Sequence, residues 1–162
     1  MRILFSIIFY LFFLFSPIFL FAENAPYNAG LGGRLEESHG SLYLGPTYRY
    51  YFKPNISGEA FALTDFSNGI EFYGLGEYGG SFPDMPKNLR WIAGLGAHVG
   101  TWKGYHDSFV AGADGLLGLE YSLDKNPLSF SLDWHPLVNI VSDKKSRFWP
   151  QKFGLSVRYI IR

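Results

Sequence analysis

The feature that most limits what this chain can fold into is an alternation with a period of two, repeated along residues 29–162. Along 128–140 one face carries Leu128, Phe130, Leu132, Trp134, Pro136, Val138 and Ile140. The other carries Ser129, Ser131, Asp133, His135, Leu137 and Asn139. Along 111–123, Leu117, Leu119, Tyr121 and Leu123 share a face with Ala111, Ala113 and Gly115, against Gly112, Asp114, Leu116, Gly118, Glu120 and Ser122. The last run sets Phe153, Leu155, Val157, Tyr159 and Ile161 against Gly154, Ser156, Arg158, Ile160 and Arg162. Such spacing marks strands with two unlike faces, whereas an amphipathic helix repeats every 3.6 residues, and no such stretch follows residue 22. Similar runs at 29–36, 41–52 and 89–102, and strand-like stretches at 56–65 and 70–79 whose faces the pattern leaves unassigned, bring the expectation to eight strands. Pro, Gly, Asn and Ser clusters punctuate them, as at Lys53-Pro54-Asn55, Ser67-Asn68-Gly69 and Asp124 to Pro127.

Which face is wet decides the class. A soluble barrel or sandwich puts large aliphatics inside and lysine, glutamate or threonine outside. Here the polar face is Gly, Ser, Asp, Asn and His with an occasional Arg or Glu, and each of the seven lysines falls in a predicted turn or at a strand start. The expectation is therefore an inverted barrel, with the apolar face toward lipid and the small polar face toward a narrow lumen. A membrane strand needs about 9–11 residues, so eight of them plus turns use most of the chain, and closure is required because a sheet edge in hydrocarbon leaves N–H and C=O groups unpaired. The predicted fold is an all-β, eight-stranded antiparallel up-and-down transmembrane β-barrel.

Arg2, an apolar run from Ile3 to Phe21 broken by Pro17, and Ala22 before Glu23 have the form of a secretory signal peptide. Residues 1–22 are read as that segment, with cleavage after Ala22, and 23–162 as the barrel; an uncleaved membrane anchor is the alternative. The chain has no Cys, which excludes disulfides, thiolate metal sites and a lipid-carrying N-terminal cysteine. With 14 Lys+Arg against 14 Asp+Glu and no basic run, it lacks the cationic footprint that nucleic acid requires. Aromatic residues add a further pattern. Tyr50, Tyr51 and Phe52 flank one turn, with Tyr121 and Tyr159 at strand ends on the same side, while Trp102, Phe109, Phe148 and Trp149 gather at the other. Headgroup-level girdles have this arrangement.

The chain resembles the small eight-stranded outer-membrane barrels of Gram-negative bacteria, and more narrowly the uncharacterised outer-membrane barrel proteins of Bacteroidota. The passages that carry the resemblance are Ala93-Gly94-Leu95-Gly96-Ala97-His98-Val99-Gly100, Gly118-Leu119-Glu120-Tyr121, Leu132-Asp133-Trp134-His135-Pro136 and Gly154-Leu155-Ser156-Val157-Arg158-Tyr159. Lys152, Gly154, Val157 and Tyr159 are spaced like the assembly signal of such barrels, although the tail Ile160-Ile161-Arg162 lacks the closing aromatic many members have. The resemblance implies a cleaved signal, residence in the cell outer membrane, contact with its assembly machinery, and lipid or lipopolysaccharide as surroundings.

The candidate interior polar cluster is His98, Asp114, Glu120, Asp133, His135 and Arg158, with an Asp133–Arg158 pair across neighbouring strands. Buried charges must be paired, so an internal ion-pair layer is the reading preferred to a metal site, and no cofactor is expected. Ser131, Asp133 and His135 mimic a triad, but successive inward positions on one strand lie about 6.6–6.8 Å apart, so direct hydrogen bonds between them are strained. His39 and Ser41, beside Glu36 and Glu37, resemble in type the His and Ser two apart of lipid A deacylases, without the longer signature of those enzymes. The loops Lys103–Ser108 and Val141–Gln151 supply contact candidates Lys103, Tyr105, Lys144, Lys145, Arg147 and Trp149, residue types suited to lipopolysaccharide phosphates or a protein partner. The leading expectation is a non-enzymatic scaffold presenting loops outside the cell. The alternatives are a lipid A deacylase-like enzyme, a small solute channel and a soluble periplasmic binding barrel.

Overall fold

The computed structural model describes residues 25–38, 40–102, 108–141 and 148–161; the predicted signal segment 1–22 lies outside them. It contains strands and no helix among those residues: β1 Ala29–Ser38, β2 Ser41–Lys53, β3 Ile56–Thr64, β4 Gly69–Ser81, β5 Leu89–Trp102, β6 Ser108–Ser122, β7 Leu128–Trp134, β8 Leu137–Val141, β9 Phe148–Trp149 and β10 Lys152–Ile161. Each strand pairs antiparallel with the next from β1 to β6. Strand β6 then pairs with both β7 and β8, β8 with β9, β7 with β10, and β10 returns to β1, so that Ala29 stands opposite Ile161. The segments β7 and β8 are one wall strand interrupted at Pro136, and β9 and β10 are another interrupted at Pro150. The result is a closed, eight-stranded, up-and-down antiparallel barrel.

Both interruptions have a covalent cause. Proline has no N–H to give to the ladder. The wall is kept continuous by Gly115 N donating to Pro136 O at 2.8 Å and His135 N donating to Lys152 O at 2.8 Å. Because Lys152 lies opposite His135 and Trp149 opposite Leu137, Pro150 and Gln151 together face the single residue Pro136. That is a bulge, and one extra residue reverses the facing of everything beyond it.

The burial pattern is inverted. Leu132 is 59 % exposed while its neighbour Asp133 is 2 % exposed, and the same contrast runs along β1, β7 and β10. No outward position inside a described strand carries a charge; Glu37 and Lys53 stand exposed only at strand ends. The interior has an apolar part, Phe61, Leu63, Tyr73, Leu75, Ile92, Leu116 and Leu137, lying mainly on β3 to β6. A second apolar group, Tyr27, Tyr51 and Ile160, closes the end at which the described chain begins and finishes, here called the lower end. The rest of the interior is charged.

The structure assigns the two stretches the alternation leaves open. On β3, Ser57, Glu59, Phe61 and Leu63 face inward and Ala60 faces out; on β4, Tyr73, Leu75 and Glu77 face inward and Phe72, Gly74 and Gly76 face out. Two girdle expectations are corrected. Tyr51 continues the inward face of Thr47 and Arg49 and is buried, and Trp149 is turned inward by the Pro150–Gln151 bulge. Tyr50, Phe52, Tyr121 and Tyr159 do face outward at the lower end, as do Phe109 and Phe148 at the upper.

Candidate functional site

The interior side chains come from every wall strand, and each reaches the axis because its strand places it on the inward parity. His98, Asp114, Glu120, Asp133, His135 and Arg158 are all buried there, at 4 % exposure or less. They do not form one cluster. They divide between two networks at different heights, joined by Arg34, Glu36 and Arg49, which the alternation also places inward, and by Glu59, whose facing only the structure assigns.

The upper network centres on Glu36 and Asp114. Arg34 donates through Nη2 to Asp133 Oδ1 at 2.6 Å, through Nη1 to Asp133 Oδ2 at 2.8 Å, and through Nη2 to Glu36 Oε2 at 2.9 Å. Lys152 Nζ lies 2.8 Å from Glu36 Oε1, and His135 Nδ1 lies 3.0 Å from Glu36 Oε2. His135 Nε2 approaches Asp114 Oδ1 at 3.4 Å, and His98 Nδ1 approaches it at 3.0 Å. His98 Nε2 is 2.8 Å from Asn139 Oδ1, and Lys152 Nζ donates to the Tyr73 hydroxyl at 2.9 Å.

The lower network is built on two guanidiniums. Arg49 reaches Glu59 at 2.5 Å, Glu77 at 2.8 Å and Glu120 at 2.9 Å. Arg158 pairs with Glu59 and donates to Ser131 Oγ at 2.9 Å. Hydroxyls complete the carboxylates. Thr47 donates to Glu59 at 2.6 Å, Ser57 to Glu77 at 2.8 Å, and Tyr51 and Ser129 to Glu120 at 2.5 and 2.8 Å. Tyr27 also donates to Glu120, reaching in from just before β1.

The expected Asp133–Arg158 pair is therefore not made. Arg158 sits opposite Ser129, whereas Asp133 sits opposite Gly154. Four residues along a strand separate the two levels by about 13 Å. Gly154 supplies the alternative. A Cβ there would overlap the Arg34 guanidinium, so the missing side chain is the passage through which Arg34, on β1, reaches Asp133, on β7. Arg34 also lies over the Phe61 ring at 4.5 Å, which braces it from β3, two strands away. Alternation identifies Arg34 as inward; only the three-strand register shows its partner.

The three residues of the triad-like run are separately partnered in this geometry. Ser131, Asp133 and His135 each bond to a different residue, namely Arg158, Arg34 and Glu36. His39 lies outside the described residues. Its nearby acid Glu36 is held in the lumen by Arg34, His135 and Lys152, and Glu37 accepts from Gly40 N at 2.8 Å in the turn. No group of three or more His, Asp and Glu among the described residues is arranged to hold a metal ion. Of the loop contact candidates, Lys103, Tyr105, Lys144, Lys145 and Arg147 lie outside the described residues. Trp149 belongs to the interior and not to a loop surface.

At the upper end the packed interior leaves a small recess of about 30 Å³, room for about one water. Ser38, Tyr43, Glu71, Leu137, Asn139, Trp149 and Lys152 line it. Its floor is the upper network, since Asn139 is bonded to His98 and Lys152 to Glu36 and Tyr73. Periodicity alone does not reveal this recess, because it depends on the bulge that turns Trp149 inward.

A scan against protein-family models finds no match to this chain, and a search of curated proteins finds none either.

Proposed function

We propose that this chain is an integral outer-membrane β-barrel of a Gram-negative bacterium, with a side-chain-filled interior, serving as a structural or interaction scaffold that presents its upper loops outside the cell. The observation that carries this reading is the distribution of charge. The described outward wall keeps its charges to strand ends, while five cationic side chains (four Arg and Lys152) and six carboxylates are buried within. In water that arrangement would expose a continuous greasy belt, whereas in hydrocarbon the belt is solvated; the ions are paired within the lumen in either case. The dense pairing of those ions, with Tyr27, Tyr51 and Ile160 at the lower end, supports a scaffold over a conducting channel.

In this reading residues 1–22 direct export and are cleaved, the assembly machinery inserts residues 23–162, and the outward wall meets the lipid, with lipopolysaccharide against its upper half. The experiment is membrane fractionation of cells making the full chain, with gels run before and after boiling. A band in the outer-membrane fraction that migrates faster unboiled is expected. Recovery in the detergent-free periplasmic extract would refute the proposal and leave the soluble barrel.

A further inference from the structure

The turn between β3 and β4 is exposed, yet one carboxylate organises it closely. Asp65 Oδ1 accepts from Ser67 N at 3.1 Å and from Asn68 N at 2.8 Å, and Oδ2 accepts from Asn68 Nδ2 at 2.5 Å. The Gly69 N–H is directed to the same carboxylate. Thr64 Oγ1 accepts from Phe66 N at 3.0 Å and donates to Gly69 O at 2.7 Å. Phe66 itself is 81 % exposed and held at a φ of 62°, in the left-handed region that a bulky residue rarely enters. These bonds therefore keep the turn in a conformation that Phe66 alone disfavours.

What they hold is a reactive pair. Of the seven asparagines in the chain, Asn68 is the one followed by glycine. A peptide nitrogen that loses its proton can attack the side-chain carbonyl of the asparagine before it, and glycine leaves that nitrogen uncovered. Asn55 and Asn139 precede Ile56 and Ile140, whose branched side chains crowd the nitrogen, and Asn126 precedes Pro127, which has no N–H. In the native turn both reactants are restrained. The Asn68 carboxamide is tied back to Asp65, so Cγ cannot swing freely onto Gly69 N. The attacking nitrogen must become an anion, and the adjacent Asp65 carboxylate opposes that charge while being too weak a base to take the proton itself. We propose that Asn68–Gly69 is a self-modification site, deamidating and isomerising through a cyclic imide, which Asp65 holds in check. Gly69 N gives its proton to hydroxide and bonds to Asn68 Cγ. The Cγ–Nδ2 bond breaks, and the nitrogen takes a proton from water and leaves as ammonia. Water then opens the imide at either carbonyl, leaving an aspartate or an isoaspartate whose side-chain carbon has entered the backbone. Either product sets a second carboxylate against Asp65, and the isoaspartate also lengthens the turn, so the hold on Phe66 is released. None of this depends on the membrane reading.

The test follows the peptide containing Asn68 by mass spectrometry, in the full folded chain at mildly alkaline pH and in a second sample kept unfolded in urea. Exchange of one NH for one oxygen marks conversion, and chromatography separates the aspartate and isoaspartate forms. The folded chain should convert about tenfold more slowly than the unfolded one, the scale of one hydrogen bond to a charged group. Folded Asp65→Ala should approach the unfolded rate. Asp65→Asn, which keeps the size and one acceptor but loses the charge, should convert about threefold faster than the unaltered folded chain, and it is the second variant should Asp65→Ala fail to fold. Circular dichroism checks that each variant is folded. Converted protein should lose amide protection at Ser67 while β3 and β4 keep theirs, and Asn139 serves as the unreactive standard. Equal rates in the folded and unfolded chain, no conversion of Asn68 even when unfolded, conversion of Asn139 as fast as Asn68, or folded Asp65 variants that convert no faster would each overturn the proposal.

Discussion

The β3–β4 hairpin and the wall formed by β7, β10 and β1 solve the same problem in opposite ways. On the β7–β10–β1 wall the inward positions, Ile160 at the lower end apart, are small or charged: Ser129, Ser131, Gly154 and Ser156 alternate in space with Arg34, Asp133 and Arg158. Its outward positions are mostly large, among them Leu132, Leu155 and Val157. On the hairpin, Phe61, Leu63, Tyr73 and Leu75 point in, and Ala60, Gly74 and Gly76 point out. A lumen this narrow must be filled, and bulk on one side requires room on the other. The difference teaches that the invariant of this barrel is where charge is allowed. Side-chain size is free to sit on either face, provided opposing walls add up to the available space.

The sharpest way to break that comparison is to remove charge from the side that carries it. Arg34→Met leaves Asp133 and Glu36 facing each other without their shared guanidinium, and stability measured by urea unfolding should fall by about 3–5 kcal/mol. Next comes charge on the outward wall. If that wall faces hydrocarbon, Leu132→Arg should cost about 2–4 kcal/mol in lipid vesicles and far less in a soluble protein. A volume-preserving change in the apolar half, Leu75→Met, should cost less than about 1.5 kcal/mol.

The smallest effect lies outside the wall, in the turn between β3 and β4. A slight loss of solvation pushes the Asp65 carboxyl up, but the backbone N–H groups of Asn68, Ser67 and Gly69 and the Asn68 amide outweigh it and hold the group below its ordinary value. Its contribution is therefore present above the unfolded carboxyl's pKa and lost as pH falls through the lower folded value. Protection of the Ser67 and Asn68 amides relative to their intrinsic exchange rate should fall under acid while the walls stay protected, and Asp65→Ala should show the same low protection at neutral pH.

How much of this is legible in the sequence follows from the same comparison. Where inward and outward residues differ in charge, as along β7 and β10, alternation identifies the faces residue by residue. Along β3 and β4 it does not, because Phe61 and Leu75 share their faces with Glu59 and Glu77, so size and charge give contrary signals. Pairing is harder to read than facing. Arg34 finds Asp133 only through the gap at Gly154, a three-strand relation that no single run contains. Trp149 escapes the pattern because alternation assumes an unbroken ladder, and the extra residue at Pro150–Gln151 changes its parity.

The pairing of β1 with β10 has one more consequence. With Ala29 beside Ile161, the ring of hydrogen bonds has no first member, and neither hairpin nor half-barrel has all its backbone groups satisfied alone. Synthesis order and architectural order are decoupled: the segment made earliest must wait for the one made last. A ribosome could open the circle at the Ser67–Asn68 turn instead, with the old ends linked, and the finished cylinder would keep the same neighbours throughout.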